Sequence, residues 1–411
     1  MPPVSPQPES IVLDNGLRVL LLPTRAHTVG IAIGIDVGSV HETPGQAGIA
    51  HAVEHCVFRG TRSRSPFELT ASVERAGGML NAWTVEENTV FYASMPPQGW
   101  QKGLDALADI VISPAFPEKG VERELAVILE EVSSVDDDPA ELVWHNALGA
   151  LYGDHPAGRD VLGTAATVRR LKAEDLAAFH AKNYTPDSMV VSIAGSFSKH
   201  DVQERITRLF GDLGGKRTRR TLPPPPQSPL RDNIEVRREL TQAHVVVAHP
   251  FPSASDRLHA ARCAMAVLAG RDISRIRWEV REQRGLSYAV DGEYGFGAGW
   301  GYMGIYLAPE AQRATEAVDV IRRELARLAA GELEQRELDE VLTWIRALHL
   351  RELESPTELA VRMAGDELVL GENGWILRQQ RLDEVGVEDV VAVASDHLRD
   401  REVVSRVLPL K

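Results

Sequence analysis

Cysteine is almost missing from this chain. Cys56 and Cys263 are the two in 411 residues, they lie far apart, and neither sits in a Cys-x-x-Cys pair. That excludes a disulfide framework and suits a reducing compartment. Positive charge is also short. Lys and Arg total 45 against 59 Asp and Glu, a formal net charge of −14, so nucleic acid and anionic membranes are not expected as partners held by bulk electrostatics. No apolar run approaches the roughly 18 residues that a membrane span requires. The segment Met1-Pro2-Pro3-Val4-Ser5-Pro6-Gln7-Pro8 has neither the basic nor the apolar stretch of a secretory signal. A soluble cytoplasmic protein is the expectation.

What is present suffices for more than one core. At 411 residues, 44% hydrophobic and 25% charged, the chain should form two or more domains. Ile11 to Pro23 holds two apolar runs around Asp14-Asn15-Gly16, the signature of a hairpin. Thr28 to Val37 reads as a central strand, and Pro44-Gly45-Gln46 introduces a helix. Pro66 to Ala76 reads as a second helix closed by Gly77-Gly78. Two strand-like runs follow, Met79 to Thr84 and Thr89 to Ser94, then a helix through Leu104 and Val111. Another helix runs from Glu118 to about Val135 and stops at Asp136-Asp137-Asp138-Pro139. Lys216 to Asn233 changes character: a basic cluster (Lys216, Arg217, Arg219, Arg220) precedes four consecutive prolines, Pro223 to Pro226, and Pro229. Such a run belongs in an extended spacer.

Beyond the spacer the order of elements repeats. A strand at Val245 to Ala248 is followed by helices at Asp256 to Ala269 and Ile273 to Arg284. Then come Gly285, a strand at Leu286 to Val290, a glycine-rich strand at Tyr302 to Leu307 and a long helix. The expected fold is α+β: two similar sandwich halves, each a mostly antiparallel sheet with helices packed on it. The expected borders are 1–215, a linker at 216–233, and 234–411.

The chemistry gathers at His51-Ala52-Val53-Glu54-His55. On a helix, His51 and His55 fall one turn apart on one face, where both imidazoles reach one metal ion. Glu54 lies on the same side, close enough to act on a water there. His-x-x-Glu-His is the inverted form of the commoner zinc-protease signature. A catalytic zinc usually takes a third protein ligand. Glu122, Glu124, Glu130 and Glu131 on the following acidic helix are candidates. Glu124 and Glu131 lie two turns apart on one face, so one can bind metal while the other braces a histidine. Spacing alone does not choose among the four. Cys56, beside the motif, reads as a small buried thiol.

The segment Gly38 to Thr61, with Gly38-Ser39, Glu42, Gly48, the His-x-x-Glu-His run and Phe58-Arg59-Gly60-Thr61, resembles the M16 (pitrilysin-like, inverzincin) zinc metallopeptidases, and most of all their branch related to the mitochondrial processing peptidase. The pattern Gly77-Gly78-x-x-Asn81-Ala82-x-Thr84 is similar to that family too. So are Tyr152 to Pro156, Asn183 to Pro186, and Arg281-x-x-Arg284-Gly285-Leu286-x-Tyr288. Cys56 and Trp83 depart from the common residues without removing a ligand or the base. The resemblance implies one Zn2+ per chain held by His51, His55 and Glu131, with Glu124 supporting a ligand. It implies Glu54 as the base that activates water, and Arg281 and Tyr288 as donors to the oxyanion. Asn81 and Ala82 would present an edge strand to a peptide, and Phe58 would line the site, or else serve the core. The implied function is an endopeptidase acting on peptides or unfolded leader segments. The implied assembly is a homodimer, or a heterodimer with a paralogue, in which Arg281 and Tyr288 of one chain complete the zinc site of the other. The competing expectation is a non-catalytic scaffold subunit, which typically has lost motif residues that this chain keeps.

Overall fold

In the computed structural model the described residues are 7–217, 221–226, 233–255 and 257–410. Arg219, Arg220, Pro229 and much of the expected linker lie outside them. Packing divides the chain into two compact units. The first comprises Met1–Val132, Asp160–Thr221 and Leu348–Gln379, and the second Ser133–Arg159, Leu222–Ala347 and Gln380–Lys411.

The first unit is built on a six-stranded sheet ordered β1-β2-β6-β3-β5-β4. Its strands are β1 (Glu9–Val12), β2 (Arg18–Pro23), β3 (Val29–Ile35), β4 (Met79–Thr84), β5 (Thr89–Met95) and β6 (Met189–Gly195). The expected hairpin is the antiparallel β1–β2 pair, and the expected central strand is β3, paired with β6 on one side and β5 on the other. All seven residues of β3 are buried, and its alternation assigns them to two faces. Ile31, Ile33 and Ile35 join a core with α1 (Ile49–Val57), α3 (Trp100–Ile112) and α4 (Glu118–Asp137). Ala32 faces the other way, with Leu20, Leu22 and Val90, against Leu359, Ala360, Met363 and Trp375. Gly30 shares that face. A Cβ there would lie 2.1 Å from the carbonyl oxygen of Pro356. Only glycine lets the helix Pro356–Leu370 seat its first turn on the strand.

The second unit repeats this plan. Its strands are β7 (Asn233–Arg238), β8 (His244–Pro250), β9 (Val290–Gly297), β10 (Trp300–Leu307) and β11 (Val403–Pro409). They are ordered β7-β11-β8-β10-β9. In both sheets a parallel pair is followed by three antiparallel ones: β2∥β6 then β3, β5, β4, and β7∥β11 then β8, β10, β9. One face carries Val245, Val247, Met303 and Ile305 in the unit's main core. The helix α5 (Pro139–Tyr152) lies on β8 and β11, and a Cβ on Gly304 would meet the Trp144 ring of that helix at 2.3 Å. Each sheet is therefore closed by a helix from outside its own stretch of sequence.

Several elements differ from the sequence expectation. The Asp136 to Pro139 stretch does not only end α4; it also begins α5. Asp138 accepts a hydrogen bond from the Ala140 amide at 2.8 Å, with Pro139 in the first turn. An N-cap and a helix stop use the same residues. The helix expected over Ile273 to Arg284 is a short α-turn, Arg275–Arg277, continued by a π-helix, Trp278–Gln283. The strand expected at Leu286 to Val290 begins only at Val290. Before it, the Ser287 hydroxyl donates to the Ala289 carbonyl at 2.6 Å and accepts from the Ala308 amide at 3.0 Å. This side chain occupies the backbone groups a strand ladder would use.

One buried side chain gives the first unit a pH dependence. His180 packs in its core, its Nε2 2.8 Å from the Val111 carbonyl. Burial pulls its pKa from 6.5 down to about 4. The unfolded chain takes up the proton first as pH falls, so the contribution of neutral His180 is complete above about 6.5 and is lost between there and about 4. Over that window His180→Gln should remove on the order of 1.4 kcal/mol per pH unit from the slope of stability against pH. Denaturant titrations at several pH values measure this, and identical slopes would contradict it.

Candidate metal centre

The helix α1 is only nine residues long, and eight of them are buried. A helix this short is not stable by propensity. Its N-terminus is held by Glu42, whose Oε2 accepts from the Gly48 amide at 2.9 Å and whose Oε1 accepts from the Ala50 amide at 2.8 Å. A carboxylate there satisfies two orphan donors and complements the helix dipole. The helical turn brings the His51 and His55 rings to 4.4 Å between centroids.

The helix α4 supplies the carboxylates. Its inward face carries Val121, Glu124, Leu125 and Ile128, and Glu131 continues that line. Glu131 Oε2 lies 3.8 Å from Nε2 of His51 and 3.8 Å from Nε2 of His55. Glu124 Oε2 lies 3.2 Å from Nδ1 of His55. Glu122 and Glu130 are exposed. Among the described residues, His51, His55 and Glu131 form the group whose ligand atoms fall within 4.8 Å of one another.

These atoms suit a zinc ion. Ligands about 2.1 Å from an ion at the tetrahedral angle lie about 3.4 Å apart, near the spacing found. Burial, with the neighbouring His55, holds His51 down at about 4, so its imidazole is neutral, the form that ligates. Two imidazole nitrogens and one carboxylate oxygen make the donor set of many catalytic zinc sites.

Glu54 is 8% exposed. Burial raises its pKa above the usual carboxylate range, against the opposing effect of a hydrogen bond from Thr84. That bond runs from Thr84 Oγ1 to Glu54 Oε2 at 2.9 Å, and Thr84 Oγ1 lies 3.3 Å from Thr89 Oγ1, which donates to the Val37 carbonyl at 2.8 Å. No spacing rule connects Thr84 to a glutamate 30 residues earlier. The sequence held Thr84 inside a family pattern without assigning it work.

Asn81 and Ala82 lie on β4, the strand at the edge of the first sheet; Asn81 is exposed. Phe58 follows α1 with its ring 6.2 Å from that of Phe91, in contact with the main core. In the second unit, the Arg281 guanidinium stands 4.3 Å from the centroid of the Tyr288 ring. Tyr288 is 80% exposed, in the irregular stretch before β9 and not on a strand.

Residues 18–165 match the family described as Insulinase (Peptidase family M16), and residues 170–343 match Peptidase M16 inactive domain. The chain belongs to the M16 peptidase family. An uncharacterized zinc protease of Mycobacterium leprae is 32% identical over 95% of this chain and 89% of its own length. One of Bacillus subtilis is 30% identical over 90% of this chain and 89% of its own length. Among solved structures, a protease from Helicobacter pylori aligns with a TM-score of 0.88 at 23% identity over 98% of this chain and 100% of that one. A structure described as a peptidase M16 inactive domain from Pseudomonas fluorescens aligns at 0.89 and 19% identity over 98% of both chains. The two sandwich-like halves are thus the M16 fold. Among the described residues no helix is long and apolar enough to cross a membrane.

Proposed function

We propose that this M16 chain is a zinc-dependent endopeptidase that cleaves peptides or unfolded leader segments. The observation that carries the proposal is the convergence of His51 Nε2, His55 Nε2 and Glu131 Oε2 on the helix that also presents a buried, basic-shifted Glu54. A zinc ion held by those three residues would supply Lewis acidity at the scissile carbonyl and make the attacking water more acidic. Glu54, held on one oxygen by Thr84, accepts a proton from the attacking water and passes it to the departing amine. Its raised pKa brings it nearer the value at which one group both takes and gives a proton near neutrality.

The edge strand β4 carries Asn81 and Ala82, where an extended peptide adds by main-chain hydrogen bonds. Phe58, held by the core, borders that position. Arg281 and Tyr288 act as donors to the oxyanion, contributed by a second copy or by a paralogue. In this reading residues 1–215 supply the zinc ligands and the base, and 234–411 supply the Arg/Tyr pair. An inactive scaffold role is disfavoured because the chain keeps His51, Glu54, His55 and Glu131.

The test is direct. The purified chain should hold about one zinc, cleave an unstructured peptide, lose cleavage on chelation and regain it when zinc returns. Inactive His51→Ala chains mixed with inactive Arg281→Ala chains should recover activity in the mixed dimer. A zinc-free, inert protein overturns the enzyme reading. No recovery despite proven subunit exchange overturns the contribution in trans.

A further inference from the structure

Arg59 lies just beyond α1, its amide donating to the Cys56 carbonyl at 3.0 Å. Its guanidinium Nη2 stands 2.8 Å from Glu124 Oε1. The other oxygen of that carboxylate, Oε2, lies 3.2 Å from Nδ1 of His55, whose Nε2 points to Glu131. The Glu124 side chain is only 7% exposed while that of Arg59 is 45% exposed. The two carboxylate oxygens are therefore divided between one cation and one imidazole. Resting on the endopeptidase reading, we infer that Arg59 is a positioning residue for the metal centre: it fixes the carboxylate of Glu124, and through it the tautomer and ring orientation of His55.

Three physical points support this. A carboxylate buried to this degree needs polar partners on its oxygens, and the planar guanidinium of Arg59 supplies one to Oε1 at 2.8 Å. With Oε1 occupied by Arg59, Oε2 is left to accept from Nδ1–H of His55, which keeps the Nε2 lone pair free for metal. The path is also built into α4. Gly120 lies one turn before Glu124, and a Cβ there would approach Arg59 Cβ to 3.3 Å, so its absence gives the arginine stem room along the helix. For His51, by contrast, Nδ1 is buried with no hydrogen-bond partner among the described residues. His55 is thus the ligand whose aim depends on this relay.

The experiment measures zinc affinity of the full-length chain by competition with a chromophoric chelator, beside thermal unfolding of the zinc-free proteins. Arg59→Leu should bind zinc about tenfold more weakly than wild type, with the melting of the zinc-free protein little changed because the side chain is half-exposed. Arg59→Lys, which keeps the charge, should lie within about threefold of wild type. Arg59→Gln, which keeps a donor without the charge, guards against a folding failure of the leucine variant and should also weaken binding. Glu124→Gln is the reference for full loss of the relay. Wild-type affinity in both Arg59→Leu and Arg59→Gln overturns the inference, and so does equal weakening in Arg59→Lys. Wild-type protein that takes no zinc overturns the endopeptidase reading itself and this inference with it, a result seen before any variant is compared.

Discussion

Glu54→Gln should retain about one zinc per chain and lose peptide cleavage by about a thousandfold, within the range general acid–base catalysis contributes. Glutamine keeps the shape of the side chain and an oxygen that can accept from Thr84 Oγ1, 2.9 Å from Glu54 Oε2 in the wild type. It cannot accept a proton from water. The substitution therefore separates the proton-transfer role from packing and from metal binding. Zinc by elemental analysis and kcat for a fluorogenic peptide give both halves of the result. A cleavage rate within tenfold of wild type would remove Glu54 as the base, and loss of zinc would show that it serves the metal instead.

The second large effect is expected at Glu131. Glu131→Gln should weaken zinc binding by more than the roughly 10–100-fold that loss of a supporting partner costs, because it removes an anionic donor and not an orienting one. Cleavage should fall with metal occupancy. The control is one residue away: Glu130 is exposed and Glu130→Gln should leave zinc affinity unchanged. Equal affinity in Glu131→Gln and wild type would mean that the 3.8 Å approach of Glu131 to both histidines is an incidental ion pair. The adjacent pair makes the comparison a test of which helix face bears the ligand, free of differences in local sequence.

What the sequence made legible follows from the range over which each feature is determined. The turn of α1 places two histidines together by helical period alone, so the site's nucleus could be read locally. The choice among four glutamates could not, because it depends on how α4 is rotated against α1; in the structure Val121, Leu125 and Ile128 set that rotation by being buried. The support from Thr84 and Arg59 was illegible for the same reason, since each reaches the site through a contact between elements distant in sequence. Strands β3 and β5 announced themselves by apolar runs. Strand β9 did not, because Gly292, Gly295 and Gly297 hide its alternation, and α5 was hidden behind an aspartate run that reads equally as an end and as a beginning.

The face of the first sheet that receives Leu359, Ala360, Met363 and Trp375 has a consequence for the order in which the protein comes into being. All six strands of that sheet are complete once Gly195 has been synthesised, yet the helix that covers Leu20, Leu22, Ala32 and Val90 is not made until more than 160 residues later. During that interval a ribosome-bound nascent chain displays a finished apolar sheet face with no lid of its own, a surface for chaperones or for premature association. A translation product that stops before Pro356 would leave that face uncovered permanently.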